Sequence, residues 1–282
     1  MKKAIASFAT VLAVVAAIAA GGAGANGSPY SPGLVQGWDG VRGSSADVRY
    51  VTLGTQRSTV VAAIHVRTGR VLRNRILRGV WGIPIVAYDG TTGGLSGDGT
   101  TLVVAGYGPL PGQPGTTRFT ALATKTFRKI RTIELPGAWS FDAISPDAAR
   151  LYLVEHVSAG ASPSYRVRVL DLASGRLRPR AVVDRLASKV TMGGQPATRA
   201  TSSEGRWEYT LYARSAGVPF IHALDTARML AYCIDLPLTL DPQAQMELRL
   251  RLRDRGRELV VRQAGEPVAT MSTESFVARA EN

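Results

Sequence analysis

One order of elements (a turn, a strand, a second turn and a strand) returns along this chain at an interval of about fifty residues, and that recurrence constrains the fold more than any single segment does. The clearest copy runs from Trp139 to Leu177. Phe141 to Ser145 is a short apolar run closed by Ser145-Pro146-Asp147-Ala148. Leu151 to Val154 follows without a helical period, and Val167 to Leu172 ends at the turn Ser174-Gly175. The turn acids Asp98, Asp147 and Glu204 mark three copies. The second turns, at Thr68-Gly69, Thr124-Lys125, Ser174-Gly175 and Thr226-Ala227, keep the same interval.

Strand signals begin at Val48, with runs at Val48 to Leu53, Thr59 to Val66 and Val71 to Leu77. At the far end Leu248, Leu250 and Leu252 alternate with Arg249, Arg251 and Arg253. That period of two excludes an amphipathic helix. Strands at regular spacing, with no helix of consequence, predict an all-β fold: a β-propeller of about five four-stranded blades, incomplete or irregularly closed. Radial repetition of this kind protects sheet edges, and a sandwich would leave the recurrence unexplained.

The motifs SPDAARLYLVEH and VRVLDLASGRL resemble the repeats of the secreted YVTN and lactonase-like propellers, over residues 85 to 237. The resemblance implies the propeller fold. Those families commonly close with seven blades, whereas this chain has material for about five. A lactonase-like relative would carry an acidic metal site in the channel, and no residue constellation here matches one.

The N-terminus reads as an export signal. Lys2 and Lys3 precede an apolar run from Ala4 to Ala20, and Ala23 and Ala25 satisfy the small-x-small cleavage rule. The expected organisation is a signal peptide over 1–25, a flexible linker over 26–46, a propeller over 47–276 and a tail over 277–282. The linker assignment rests on the Gly, Ser and Pro content of NGSPYSPGLVQGWDGVRGSSA. With 282 residues, 45% of them hydrophobic, the chain can bury a substantial core. One cysteine, Cys233, makes an internal disulfide impossible, and its apolar setting marks it as a small buried hydrophobe.

The net charge of +13 suits an anionic partner such as a cell-wall polymer, but the arginines are scattered along strands rather than gathered in a block. Nucleic acid is not an expected partner, and no cofactor motif is present. Gly94-Leu95-Ser96-Gly97-Asp98 lacks the last glycine of a nucleophile elbow. His65, His156 and His222 fall on three different copies without metal spacing.

A ligand site is therefore expected where the first strands of successive blades converge on the axis. Small residues such as Gly93, Gly94, Ala143 and Ala200 suit that taper. Trp81, Asp89, Trp139, Asp142 and Arg199 stand beside them as the candidate residues for a small polar ligand. The functional expectation is an exported, non-enzymatic module that binds a protein or a cell-envelope polymer; the alternative is a small-molecule hydrolase working at the channel mouth.

Overall fold

The computed structural model describes residues 31–158, 164–188 and 190–281. The expected signal peptide, and residues 26–30 of the expected linker, lie outside the described residues. After a two-residue strand, β1 (Leu34–Val35), the first sheet is β2 (Gly37–Arg42), β3 (Val48–Gly54), β4 (Ser58–His65) and β5 (Val71–Arg78), each antiparallel to the next. The second is the three-stranded sheet β7 (Thr101–Ala105), β8 (Thr116–Ala123) and β9 (Lys129–Pro136), with β6 (Ile83–Pro84), which pairs antiparallel with β1, set ahead of it on the inner side. Its inner strand is interrupted: bridges Gly82↔Ala105 and Leu95↔Leu102 flank an excursion between them.

The third sheet is β10 (Trp139–Ile144), β11 (Arg150–Ser158), β12 (Ser164–Asp171) and β13 (Arg176–Leu177), with β14 (Met192–Gly193) also pairing with β12. The fourth is β15 (Gln195–Thr201), β16 (Trp207–Ala213), β17 (Phe220–Asp225) and β18 (Leu230–Asp235). One helical turn, α1 (Pro242–Met246), leads to the fifth: β19 (Arg249–Arg253), β20 (Glu258–Gln263), β21 (Glu266–Ser272) and β22 (Ala278–Ala280). Five separate antiparallel meanders, each running from an inner to an outer strand, are the blades of a β-propeller.

Period-2 alternation builds the layers between blades. Tyr50, Val61 and Ala63 of the first blade pack on Leu102, Val104 and Leu122 of the second. Val103, Phe119 and Ile133 on its opposite face meet Phe141, Leu151 and Leu153 of the third. Tyr209, Leu211 and Ile221 of the fourth meet Leu250, Leu259 and Met271 of the fifth. Among the described residues no apolar cluster joins the fifth blade to the first. The alternating arginines of β19 leave that side of the fifth blade polar.

Two stretches differ from the sequence-based organisation. Residues 34–42, expected as part of a flexible linker, form β1 and the inner strand β2. The glycines there serve close approach: a Cβ on Gly40 would stand 2.0 Å from the carbonyl oxygen of Tyr50. Within the expected tail, Ala278–Ala280 is the outermost strand of the last blade. Phe276, just ahead of it, stacks on Tyr232 with ring centroids 4.4 Å apart.

The recurring first turn has one hydrogen-bond plan in three copies. The hydroxyls of Ser96, Ser145 and Ser202 accept from the backbone N–H five residues on, at Thr101, Arg150 and Trp207, over 3.0, 2.9 and 2.9 Å. Two of these serines donate to the turn acid, Asp98 or Asp147, at 2.6 Å. The fourth turn position is left-handed in all three, with φ of 68° at Gly99, 56° at Ala148 and 69° at Gly205. Only Ala148 carries a Cβ there, against the steric preference of L-residues. Ala148→Gly should therefore raise the unfolding free energy by about 1 kcal/mol, read as a higher urea midpoint at unchanged slope.

Candidate functional site

The excursion in the second blade's inner strand shapes the axis. Residues 85–92 fold as a hairpin, with Val86 N–H donating to the Thr91 carbonyl at 2.8 Å and Asp89 Oδ1 accepting from the backbone and hydroxyl of Thr91. Its tip reaches the fourth blade: Tyr88 N–H donates to the Pro196 carbonyl at 2.8 Å, and Asp89 N–H to the Ala197 carbonyl at 3.1 Å. The hairpin thus bridges the inner strands of blades two and four, across the upstream end of the channel.

Beneath it lies an ion pair between blades three and four. Asp142 sits at a register shift of β10, where the bulge re-aims its side chain. Arg199, on β15, donates to the Asp142 carboxylate and backbone carbonyl, and its Nε–H donates to Thr210 Oγ1 at 2.8 Å. Asp142 is 2% exposed and Arg199 8%. The second carboxylate oxygen, Asp142 Oδ2, has no partner, and neither does Nε2 of the nearby buried His222. Blades three and four are thus joined at the axis by polar groups, in addition to apolar layers in which Tyr152 and Val169 pack with Leu224 and Ala231, and Tyr165 with Tyr212 and Phe220.

The pair separates two recesses. At the upstream end a narrow pocket under the hairpin, lined by Ser140, Asp142, Tyr165 and Arg199, adjoins a cavity of about 170 Å³ that Trp139, Tyr107, Pro84 and His156 help to line. At the turn end a recess of about 280 Å³ is lined by Asp142, Arg199, Glu208, Arg42 and the hydroxyls of Thr92, Thr201, Ser202 and Ser203.

Of the five residues singled out in the sequence, Asp142 and Arg199 meet directly and Trp139 stands at the rim of the upstream cavity. Trp81 is buried between blades one and two, where its indole N–H donates to the Arg78 carbonyl at 2.7 Å. Trp139 repeats that contact with Pro136, at 2.8 Å. Asp89 stabilises the hairpin turn. Neither Trp81 nor Asp89 lines a recess that also holds Asp142 and Arg199.

Sequence reasoning passed over Ser140 and Glu208, and weighed His156 only as a metal ligand. The signal for Glu208 was present in the alternation of β16: Trp207, Tyr209 and Leu211 face the fifth blade, so Glu208, Thr210 and Tyr212 must face the third. Burial pushes the Glu208 carboxyl up to about 7, against the opposing effects of Arg199 and the Thr201 hydroxyl, which donates to it at 2.6 Å; Asp142 raises it further.

Ser140 Oγ and His156 Nε2 are 3.0 Å apart, the spacing of a nucleophile and its base. Burial lowers the imidazole to about 4, far below a base poised for neutral pH, and among the described residues no carboxylate is hydrogen-bonded to it. Cys233 lies 3.5 Å from His222 Nδ1, yet burial, and then Asp184, push its thiol up to about 12. It is no thiolate at neutral pH. Among the described residues no group of three or more His, Cys, Asp or Glu side chains is placed to hold a metal ion, and no helix is long and apolar enough to cross a membrane.

No family model matches the chain, and no curated protein matches it in sequence. Among solved structures it is similar to a functionally unknown protein from Desulfotomaculum acetoxidans, at 15% identity over 86% of this chain and 68% of that one, with a TM-score of 0.50. It is also similar to the β-propeller domain of Cps50 (Swd1) from Myceliophteria thermophila, at 12% identity over 91% and 72% with a TM-score of 0.47. A third is BamB from Moraxella catarrhalis, at 14% identity over 84% and 61% with a TM-score of 0.43. Likeness at such identities concerns the fold alone.

Proposed function

We propose that this protein is exported and acts, at the cell envelope or outside the cell, as a non-enzymatic binding module whose upstream axial mouth receives a polar group of its partner. The observation that carries the reading is the upstream mouth itself: a narrow pocket lined by Ser140, Asp142, Tyr165 and Arg199 adjoins a cavity walled by Trp139, Tyr107 and His156, so aromatic faces stand beside polar groups. Export is supported by the Lys2-Lys3 head and the apolar run ahead of Asn26. The narrower kinship with secreted YVTN-type propellers is part of the same proposal, supported by the SPDAARLYLVEH and VRVLDLASGRL motifs. The partner chemistry is a protein or an envelope polymer, and the basic net charge favours an anionic one.

The hydrolase reading is supported by the Ser140–His156 distance, and opposed by the low basicity of that imidazole. Binding of envelope extract fractions to the purified protein should quench tryptophan fluorescence and weaken by about 1 to 3 kcal/mol in Trp139→Ala, while Arg251→Ala leaves it unchanged. Binding that ignores Trp139 and collapses with salt would move the function to the arginine face. Turnover of simple esters abolished by Ser140→Ala would replace this reading by the hydrolase.

A further inference from the structure

The two sides of the fifth blade differ in chemistry. Leu250, Leu259, Val261, Ala269 and Met271 pack with the fourth blade, so the residues that alternate with them must point the other way. That opposite side gathers five arginines: Arg249, Arg251 and Arg253 on β19, Arg262 across from Arg249 on β20, and Arg279 across from Thr270 on β22. Two carboxylates share it. Glu258 pairs with Arg253 at 3.4 Å, and Glu281 accepts from the Thr270 hydroxyl at 3.0 Å, which leaves three positive charges in excess. Arg249, Arg251, Arg253 and Arg279 are exposed.

Elsewhere in the chain, strand arginines reach from one blade to the next. Arg73 and Arg75 of the first blade donate to the Thr124 and Phe127 carbonyls of the second at 2.9 and 3.0 Å. Arg131 of the second donates to the Leu172 carbonyl of the third at 2.7 Å, and Arg150 of the third to the Ala227 carbonyl of the fourth at 3.1 Å. Beside the fifth blade that pattern stops. Among the described residues no apolar layer joins its arginine side to the first blade, and Arg251 and Arg279 have neither an acceptor nor an ion-pair partner. A sheet side with excess charge is costly to bury against an apolar one, and it suits an anion that supplies the missing acceptors.

We propose that this side of the fifth blade binds an extended polymer of alcohol phosphodiesters, of the 1,3-linked poly(glycerol phosphate) type, laid along β19. The proposal rests on the export part of the proposed function, which brings the protein among envelope polymers, and not on the mouth. Spacing selects the chemistry. Side chains on one side of a strand recur every two residues, which is six backbone bonds and about 7 Å. A 1,3-linked glycerol phosphate repeat has the same number of backbone bonds, so its phosphates keep step with Arg249, Arg251 and Arg253 when both chains are extended. Arg262, one strand over at about 5 Å, gives the phosphate at Arg249 a second guanidinium. Arg279 stands farther across the sheet and adds to the field alone.

The test follows dye-labelled poly(glycerol phosphate) by fluorescence anisotropy against the purified protein at salt concentrations from about 50 to 200 mM. Arg251→Ala combined with Arg253→Ala should weaken binding about tenfold or more at the lowest salt and reduce the slope of log K against log salt by about two. Arg67→Ala with Arg70→Ala removes the same charge from an exposed turn of the first blade and should change affinity by less than about twofold. Equal losses in the two double variants would mean that net charge alone binds the polymer, and would overturn the proposal. Polyglutamate, whose carboxylates recur at half that bond spacing, overturns it if it binds as tightly with the same dependence on Arg251 and Arg253. Vesicles of anionic phospholipid held by the same arginines would reassign the face to a membrane surface and overturn it as well. Trp139→Ala should leave polymer binding unchanged, and a loss as large as that of the arginine pair would move the polymer to the mouth. Extract binding that ignores Trp139, with polymer binding still dependent on Arg251 and Arg253, sinks the mouth reading and leaves this one standing.

Discussion

Arg199→Ala is expected to lower the unfolding free energy by about 3 to 5 kcal/mol, among the largest effects available to any single substitution in this chain. The substitution leaves Asp142 buried at 2% exposure with one oxygen already unpartnered and the other newly so. It also frees the Thr210 hydroxyl and the Asp142 carbonyl, which Arg199 now engages. Removing both charges together is a different experiment. Asp142→Leu with Arg199→Met replaces the pair by apolar groups of similar reach and should return most of the lost stability, because the desolvation cost of both ions disappears with them. Arg251→Ala, on the alternating face of β19, is the control and should stay within about 0.5 kcal/mol. Equilibrium urea unfolding measures all three. If Arg199→Ala matched the Arg251 control, the axial pair would be solvated in solution, and its account as a buried link between blades three and four would be wrong.

The repeat made the architecture readable. Turn acids at Asp98, Asp147 and Glu204 announced three copies because a serine-anchored turn needs a short polar residue at a fixed place, and local chemistry of that kind is written in local sequence. Copies whose turns lack that residue were harder to bound. The first blade's inner strand, Gly37–Arg42, looked like a linker because glycine signals both flexibility and close approach. Only the Tyr50 carbonyl facing Gly40 tells the two apart. The last strand, Ala278–Ala280, gave no signal: a segment of three residues has no measurable period, and its partner β21 recruits it.

The site was legible in part for a similar reason. Asp142 and Arg199 come together because both fall on inner strands, which topology gathers at the axis. Trp81 does not join them, because an aromatic entering an inner strand can turn inward to the axis or sideways between blades. The hydrogen bond from its indole to the carbonyl three residues earlier fixes the sideways choice. The crossing hairpin of residues 85–92 is a tertiary event, and no spacing within it names Pro196 and Ala197 as its partners.

Acid should destabilise the protein through its two buried histidines, and Glu208 should partly offset the loss. Burial lowers both His156 and His222 from 6.5 to about 4, so the unfolded chain takes up protons between pH 6.5 and 4 that the folded one does not. Stability carried by the neutral imidazoles is therefore complete above pH 6.5 and is lost as pH falls, by between about 2 and 3 kcal/mol for each at pH 4.5. Glu208 has the opposite sign. Its folded carboxyl titrates near 7 against 4.5 when exposed, so the folded state holds the extra proton in that window. Stability gains about 3 kcal/mol as pH drops from 7.5 to 4.5. Asp98, Asp147, Asp171 and Asp225 are all held below the usual carboxylate range by turn hydrogen bonds or by Arg206, and act chiefly below this window. Between pH 7.5 and 4.5 the wild-type protein should lose about 2 kcal/mol, and Glu208→Gln, with the offset removed, about 5 kcal/mol. His222→Gln should flatten the wild-type profile. Urea midpoints at four pH values across the window decide the matter. A Glu208→Gln profile parallel to wild type would mean that Glu208 ionises normally and that its burial between blades three and four does not hold in solution.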